Sequence, residues 1–185
     1  MDLYNEDDIL KMLRGDDPTL QKKAFGTVVS HYSEKIYWHI RKMVLSHDDS
    51  NDILQNTFIK AWMNIDSFRG DAKLSTWLYK ISINECITFL NKQKMTSQLS
   101  IDDADASLLN RLESDEYFDG DDIQLKLQQA ILTLPEKQRI VFNLRYYDEM
   151  PYEEMSEILG TSVGALKASY HHAAKKIEDF LTSRD

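Results

Sequence analysis

Basic and ionisable side chains recur at helical spacing near the C-terminal end of the chain. A helix predicted to begin at Val163 would carry on one face Lys167, Ala168, His171, His172 and Lys175. Lysine and histidine can bind phosphate oxygens or base edges of DNA, and a small residue between them permits close approach. The two histidines have no carboxylate or cysteine at ligand spacing, so we expect no metal ion there. The pattern favours nucleic-acid contact over catalysis.

The elements that must position this face form a helix–turn–helix pattern. Residues 152–159 predict a short helix. Gly160 follows it at the turn, where the backbone is left-handed and a side chain would be strained. Ser162 can then cap the second helix. A capped N-terminus also offers its amides to a phosphate. A helical hairpin that binds nothing would show the same pattern. Apolar side chains should hold the two helices together, namely Met155, Ile158 and Leu159 against Val163, Leu166 and Tyr170.

Apolar residues at helical spacing continue through both ends of the sequence, and no strand pattern interrupts them. The chain has few helix breakers, with 3 prolines and 6 glycines. Asn5 can cap a first helix that Gly15 closes, and Asp17-Pro18 marks the start of the next. A polar break is expected at residues 47–50. Further helices are predicted over 51–65, from Ser75 or Thr76 through Lys94, and over 123–133, 135–147, 152–159 and 163–181.

Several residues are assigned to the core from their spacing alone. Cys86 is interpreted as a packing residue, because a single thiol forms neither an internal disulfide nor a cysteine-based zinc site. The apolar residues expected to face inward are Leu20, Ala24, Val28 and Tyr32, then Ile53, Phe58, Ala61, Trp62 and Ile65, then Trp77, Ile81, Ile87 and Leu90. The predicted fold class is therefore all-α.

The acidic charge is concentrated in one segment. The formal net charge is −9, which for the chain as a whole argues against binding nucleic acid. Residues 1–95 and 123–185 carry net charges of 0 and −1, whereas residues 96–122 carry −8. We therefore predict two small helical domains, 1–95 and 123–185, joined by a flexible acidic linker over 96–122 with a helical turn near residues 108–112. Either domain can still present a basic face.

Other functional classes lack their sequence signals. No apolar run approaches the ~20 residues of a membrane helix, and the acidic N-terminus has neither the basic nor the apolar region of a secretion signal. We expect a cytoplasmic protein without membrane insertion. No glycine-rich phosphate loop, nucleophile elbow or metal-ligand spacing is found. The chain is therefore not expected to be an enzyme, and no catalytic residue, metal or cofactor is predicted.

Three segments together resemble the alternative sigma factors of the extracytoplasmic-function (ECF) group, subunits that direct bacterial RNA polymerase to chosen promoters. Residues 134–146 and the helix–turn–helix after them are similar to sigma region 4, and residues 52–62 are similar to region 2.2. Residues 68–81, with Asn84 after them, resemble the segment that opens and reads the −10 element. The resemblance covers residues 8–95 and 123–181 in order, with no counterpart of region 1.1 or region 3.

This resemblance implies three binding surfaces. The first domain would bind core RNA polymerase through Asp52, Gln55, Asn56 and Ile59. It would hold −10 promoter DNA with Phe68, Lys73, Ser75, Lys80 and Asn84, the ring and the amide forming a pocket for an unpaired base. The second domain would bind the −35 element through Ser162, Gly164, Lys167, Ala168, His171, His172 and Lys175. The alternatives are a core position for Phe68, a capping role for Ser75 and a merely solvated face on residues 51–65.

The resemblance also implies partners besides promoter DNA and the polymerase. A cognate anti-sigma factor would clamp the two domains and hide both surfaces. In the family the connector threads the basic active-site cleft and RNA exit path, where acidic charge imitates RNA; a solvating tether is the alternative. One competing interpretation is a sigma mimic that titrates an anti-sigma factor. Such a mimic would have lost the DNA-reading residues, whereas this chain has Phe68, Lys73 and Asn84 at those positions. A dimeric helix–turn–helix repressor would not explain the first 95 residues.

The second helix of the motif departs from the arginine-rich recognition helix usual in this family, since its cations are Lys167, Lys175 and Lys176. Phosphate contacts dominate affinity for DNA and its salt dependence. We therefore predict that the free protein binds a −35 duplex only weakly and depends on the polymerase for avidity. Fluorescence anisotropy at physiological salt measures this affinity, and tight binding there would contradict the prediction.

Overall fold

The computed structural model describes residues 5–96, 107–112 and 122–183, and within these ranges all regular structure is helical. None of the helices there is both long and apolar enough to cross a membrane. The all-α fold class is therefore confirmed. The α-helices in chain order are α1 (Glu6–Arg14), α2 (Pro18–Val44), α3 (His47–Met63), α4 (Leu74–Thr96), α5 (107–112), α6 (Asp122–Leu132), α7 (Glu136–Tyr146), α8 (Tyr152–Leu159) and α9 (Val163–Thr182), with a 3₁₀ turn at Ile65–Ser67.

Local signals set the starts of the first helices. The Asn5 side chain caps α1, and Asp17 caps α2 with Pro18 at its first position, as predicted. The polar break expected at residues 47–50 is wrong, because α3 already begins at His47. Ser46 accepts a hydrogen bond from the Asp49 amide, and the acidic residues of the first turn suit the positive end of the helix dipole.

The start of α4 is set by a residue far away in sequence. The helix begins at Leu74, so Ser75 and Thr76 lie inside its first turn and do not cap it as expected. The Leu74 amide donates instead to the Glu6 carboxylate on α1, at 2.9 Å. A side-chain acceptor satisfies a free first-turn amide equally well from any position in the chain. Glu6 therefore fixes the loop that precedes α4 relative to α1.

The buried face of α4 differs from the predicted one. Leu90 is buried as expected, but Trp77, Ile81 and Ile87 are only half-buried. Helix α4 packs against α2 and α3 on one side and against α8 on another, so apolar residues surround most of it and their spacing does not single out one face. The buried side chains are Leu74, Thr76, Leu78, Tyr79, Ser82, Ile83, Cys86 and Leu90.

The other predicted core positions agree with the structure in most cases. Ala24, Val28 and Tyr32 are buried in α2, whereas Leu20 in its first turn is 45% exposed. In α3 the residues Ile53, Phe58 and Ala61 are buried, and Trp62 and Ile65 are half-buried. The helical spacing therefore placed the core of α2 and α3 correctly, except at Leu20 in α2 and at Trp62 and Ile65, which are only partly covered.

The N-terminal and C-terminal halves pack against each other. One core cluster runs from Ile9 and Val28 on the first helices to Leu144, Met155 and Leu166 on α7 to α9. A second, smaller cluster joins α6, α7 and α9 through residues such as Phe142 and Ile177. Helix α4 ends at Thr96 and α6 begins at Asp122, next to the predicted domain boundaries; the division into domains stays a prediction.

Part of the predicted linker belongs to the core. Residues 107–112 are helical, which confirms the expected turn near residues 108–112. Leu108 and Leu112 are buried in the main core cluster, and Arg111 bonds the Asp49 carboxylate on α3 at 3.0 Å. The remainder of the predicted flexible linker, 97–106 and 113–121, lies outside the described residues. The segment 107–112 therefore packs on the fold instead of acting as a solvated tether.

Replacing Glu6 with alanine should destabilise the protein, because the Leu74 amide loses its acceptor and the Tyr32 hydroxyl loses a weaker one at 3.4 Å. The loss expected for a helix cap is about 1 kcal/mol, measured as a lower free energy of unfolding in urea at pH 7. Asp7→Ala is the matched control, since it removes an equal charge from the same first turn at an exposed position. Equal destabilisation by both variants would show that the cap contributes nothing.

The Cys86 thiol should be unreactive in the folded protein. It is fully buried, as predicted, and burial together with the neighbouring Glu85 charge raises its pKa to about 12. Since the thiolate is the reactive species, alkylation by iodoacetamide at pH 8 should be slow until a denaturant unfolds the chain. Rapid alkylation of the native protein, followed by mass spectrometry, would contradict this packing.

Candidate nucleic-acid interface

Helices α8 and α9 form the predicted helix–turn–helix. Gly160 ends α8 in the left-handed region, at φ 63°. The Ser162 hydroxyl caps α9 by accepting from the Ala165 amide at 3.3 Å. A residue with a side chain would be strained at position 160, so the glycine permits the sharp turn between the helices. Both assignments made from the sequence are confirmed.

Apolar contacts orient α9 on α8. Met155 and Ile158 from α8 and Leu166 from α9 are buried together in the main core cluster. Leu159 and Tyr170 pack against that cluster and are half-buried, and Val163 is also half-buried. The predicted interface between the two helices is therefore present. Because Leu166 points inward, the positions on the opposite side of the helix, such as Ala168, His171 and Lys175, face solvent.

The outward face of α9 carries every residue predicted for the −35 element. All seven are exposed: Ser162, Gly164, Lys167, Ala168, His171, His172 and Lys175. The Lys167 ammonium lies 5.7 Å from the centre of the Tyr152 ring, a distance at which the ring attracts a cation. The two histidine rings are 6.0 Å apart. Across the described ranges no three potential ligand side chains cluster in a way that could hold a metal ion.

Helix α3 also presents an exposed face. Asp52, Gln55, Asn56 and Ile59 are all exposed, with Ile59 at 49%. Their spacing places them on one side of the helix, while Ile53, Thr57, Phe58 and Ala61 are buried on the other. The structure therefore brings the four predicted contact residues together on one surface. An exposed isoleucine among polar residues is suited to docking on another helix.

The loop between α3 and α4 forms a cavity of about 240 Å³. Phe68 lines it but is itself buried, with 8% of its surface exposed and its ring 5.0 Å from that of Trp77. Lys80 also lines this cavity. Lys73 is exposed at the start of α4, and Ser75 is half-buried. Two aromatic residues, Phe68 and Trp77, and the basic residue Lys80 therefore line the same cavity.

The structure does not bring Phe68 and Asn84 into the same cavity. Asn84 lines a neighbouring cavity of about 480 Å³, which shares Ser67 and Trp77 with the first. Lys80 and Asn84 belong to the exposed stripe of α4, four residues apart, whereas the ring of Phe68 is turned inward onto Trp77. The sequence pattern assigned Trp77 to the core and did not indicate that it lines both cavities. Its place in the first turn of α4, directly after the loop that carries Phe68, was the available signal.

Carboxylates from α8 reach the same surface of α4. The Thr76 hydroxyl donates to the Glu154 carboxylate at 3.0 Å. Glu157, one turn further along α8, lines the Phe68 cavity. A cleft of about 340 Å³ continues between Lys80 and Asn84 on α4 and residues of α7, α8 and α9. None of these contacts was predicted, because they join positions nearly 80 residues apart.

A buried polar cluster joins α2 to the turn after α7. The His39 Nδ1 lies 2.9 Å from the Asp148 carboxylate, and both side chains are almost fully buried. Burial, and then the nearby Asp148 charge, raises the pKa of the Tyr79 phenol. Burial lowers the pKa of Lys42, and the negative charge of Asp148 partly offsets this effect. The Lys42 ammonium lies 4.3 Å from the centre of the Tyr147 ring. These polar contacts fix the orientation of the two halves.

Both parts of the chain match known families. Residues 28–96 match the family described as Sigma-70 region 2, and residues 124–177 match Sigma-70, region 4. The first match contains α3, α4 and the loop between them that carries Phe68, and the second contains the helix–turn–helix. The two surfaces found in the structure therefore lie within two sigma regions in the order expected from the sequence.

Relatives cover nearly the whole length of the chain. The ECF RNA polymerase sigma factor SigW of Bacillus subtilis is 32% identical over 185 residues, covering 96% of each chain. The ECF RNA polymerase sigma-E factor of Escherichia coli is 32% identical over 168 residues, covering 85% of this chain and 86% of its own.

Solved structures share the fold. The sigma factor RpoE in complex with the anti-sigma factor NepR from Bartonella quintana is 22% identical, with a TM-score of 0.68 over 88% of this chain and 99% of its own. CnrH in complex with the cytosolic domain of CnrY is 19% identical, with a TM-score of 0.70 over 97% and 99%. Two sigma regions in order, with relatives of this identity along almost the entire sequence, place the chain in the ECF sigma factor family.

Proposed function

We propose that this chain binds core RNA polymerase and directs it to promoters. In this proposal α9 reads a −35 element, and the loop between α3 and α4 together with the exposed side of α4 opens a −10 element. The observation that carries the proposal is the outward face of α9, on which all seven predicted residues are exposed in an ECF sigma factor. The proposed domains are residues 1–95 and 123–185, joined by the segment 96–122.

The proposed −35 contact is a helix in the major groove. The capped N-terminus of α9, at Ser162 and Gly164, offers amides to a backbone phosphate. Lys167 and Lys175 supply cations for phosphates, and Ala168 allows the helix to approach base edges. His171 and His172 can donate to or accept from bases. The small number of cations agrees with a contact that needs the polymerase for affinity.

The proposed −10 contact uses aromatic stacking and an amide. Unstacking a base costs a few kcal/mol, which a protein recovers by stacking it on an aromatic ring and bonding its edge. Trp77 and Phe68 provide the aromatic surface, and Asn84 provides the amide next to it. Lys73, Ser75 and Lys80 are placed to contact the strand backbone.

The proposed contact with core polymerase is the exposed face of α3. Asp52, Gln55, Asn56 and Ile59 would meet the coiled-coil clamp of the polymerase's largest subunit, as the family resemblance implies. In this arrangement the polymerase carries out catalysis, and the chain contributes no catalytic group, metal or cofactor. We place the protein in the cytoplasm, where its partners are found.

An anti-sigma factor is the further partner proposed for this chain. Of two solved structures with the same fold, one is the sigma factor RpoE in complex with the anti-sigma factor NepR, and the other is CnrH in complex with the cytosolic domain of CnrY. The likeness extends over 88% and 97% of this chain, so it includes both halves. We propose that a partner of this kind holds the two halves together and covers their DNA-facing surfaces.

Run-off transcription by bacterial core polymerase on a genomic promoter library tests the function. New start sites should appear only when the protein is added. Asn84→Ala and Lys167→Glu should each reduce these transcripts about tenfold, the effect of losing roughly 1.4 kcal/mol of promoter contact. The matched controls are Asn91→Ala, on the same helix, and Lys126→Glu, an equal charge reversal on α6; both residues are exposed.

Two other outcomes have definite meanings. Binding to core polymerase without any new start site would favour a sigma mimic that titrates an anti-sigma factor. A chain that does not bind core polymerase would contradict the proposed function as a whole. Equal loss of transcription in the control variants would show that Asn84 and Lys167 do not contact the promoter.

A further inference from the structure

We propose that helix α1 positions the loop between α3 and α4 for opening the −10 element, with Arg14 and Glu6 holding the two ends of segment 69–74. The match to Sigma-70 region 2 begins at residue 28, so α1 lies outside it. Neither residue was predicted from the sequence to contact the promoter. The inference rests on the proposed function for its role in promoter opening, whereas the two contacts can be tested without DNA or polymerase.

The first contact joins the last turn of α1 to the middle of the loop. The Arg14 Nη2 donates a hydrogen bond to the backbone carbonyl of Arg69 at 2.7 Å, across 55 positions of sequence. A bond from a charged guanidinium is shorter and stronger than one between neutral groups. Because Arg69 directly follows Phe68, this bond restrains the backbone next to the buried ring.

The backbone of the loop is shaped around this arginine. Gly70 has a φ of 78°, in the left-handed region that favours glycine. A Cβ atom at this position would lie 2.3 Å from the Arg14 Nη2, so a side chain there would displace the guanidinium. The turn of the loop and the arginine contact therefore depend on the same residue.

The second contact joins the first turn of α1 to the end of the loop. One oxygen of the half-buried Glu6 carboxylate accepts from the Leu74 amide at 2.9 Å. The other oxygen lies 3.4 Å from the Tyr32 hydroxyl on α2, which helps to orient the carboxylate. This contact fixes the residue at which the loop ends and α4 begins.

Helix α1 offers a fixed base for both contacts. Ile9 and Leu13 lie between them in sequence and are buried in the main core cluster, and the helix packs against α2. Glu6 and Arg14 are about 12 Å apart along the helix axis, at 1.5 Å per residue. Residues 69–72 of the held segment line the cavity of about 240 Å³. A strand that binds there meets a loop that is already ordered, so less conformational entropy is lost on binding.

Limited trypsin digestion of the free full-length chain tests the two contacts. Trypsin cleaves after arginine and lysine, at a rate that follows how often the bond is released from the fold. Arg14 holds the carbonyl of the peptide bond after Arg69, and Glu6 holds the amide of the bond after Lys73. Arg14→Ala should therefore speed cleavage after Arg69 at least fivefold, and Glu6→Ala should do the same after Lys73, as measured by mass spectrometry.

Two controls separate these contacts from general loosening. Lys11→Ala removes the same charge as Arg14→Ala from another exposed position of α1, and Lys11 pairs only with Asp8 on its own helix among the printed ion pairs. This variant should be cleaved at both loop sites as slowly as wild type. Cleavage after the exposed Lys126 on α6 is the internal reference, because a chain that unfolds more often would also be cut there faster.

Promoter opening by the holoenzyme tests whether the contacts act by position or by charge. Arg14→Ala removes a positive charge and Glu6→Ala a negative one, so a purely electrostatic effect on DNA would have opposite signs. We expect both variants to reduce opening at least fivefold, measured by permanganate reactivity of unpaired −10 thymines. Glu6→Gln keeps a carbonyl acceptor and should restore most of the opening. Affinity for core polymerase, measured on the same preparations, should stay unchanged and reports that the variants are folded.

Three results would overturn the positioning role. The first is unchanged cleavage after Arg69 and Lys73 in the two variants. The second is an effect of opposite sign on opening, and the third is a weaker salt dependence of promoter affinity in Arg14→Ala, which would identify a direct phosphate contact. A wild-type chain that opens no promoter would contradict the proposed function alone, because the digestion needs no polymerase and would still decide whether α1 holds the loop.

Discussion

Helix α4 must be covered on two sides, and the rest of the structure follows from this constraint. Buried positions such as Leu78, Cys86 and Leu90 alternate with half-buried ones such as Trp77 and Ile87, which leaves only a narrow polar stripe for solvent. Helices α2 and α3 cover one side, and α8 covers another. At roughly 25 cal/mol per Å² of apolar surface removed from water, exposing the second side is unfavourable. The C-terminal half supplies the cover.

Apolar and polar residues lie side by side on the surface of α4 that packs against α8. Ile83 and Ile87 share a cleft with apolar residues of α7 and α8, and Lys80 and Asn84, for which we propose a contact with DNA, line the same cleft. This mixture explains why its residue pattern is less regular than that of α1, where acidic and apolar residues separate cleanly onto two faces.

Buried polar groups then specify how the halves meet. Apolar contacts alone allow several orientations, but a buried histidine and carboxylate must find each other, since an unsatisfied partner costs about 1–3 kcal/mol. His39 and Asp148 meet at 2.9 Å, with Tyr79 and Lys42 close by. Separating the halves returns these groups to water, so the interface is specific without being irreversible.

The sequence by itself determined those features that depend on neighbours along the chain. The caps at Asn5, Asp17 and Ser162, the turn at Gly160 and the outward face of α9 all follow from interactions within a few residues, and the structure agrees with each. Tertiary structure alone decided that Glu6 starts α4, that Trp77 separates Phe68 from Asn84, and that Glu154 lies on Thr76. These contacts join residues distant in sequence, and no local pattern encodes which surface will cover another.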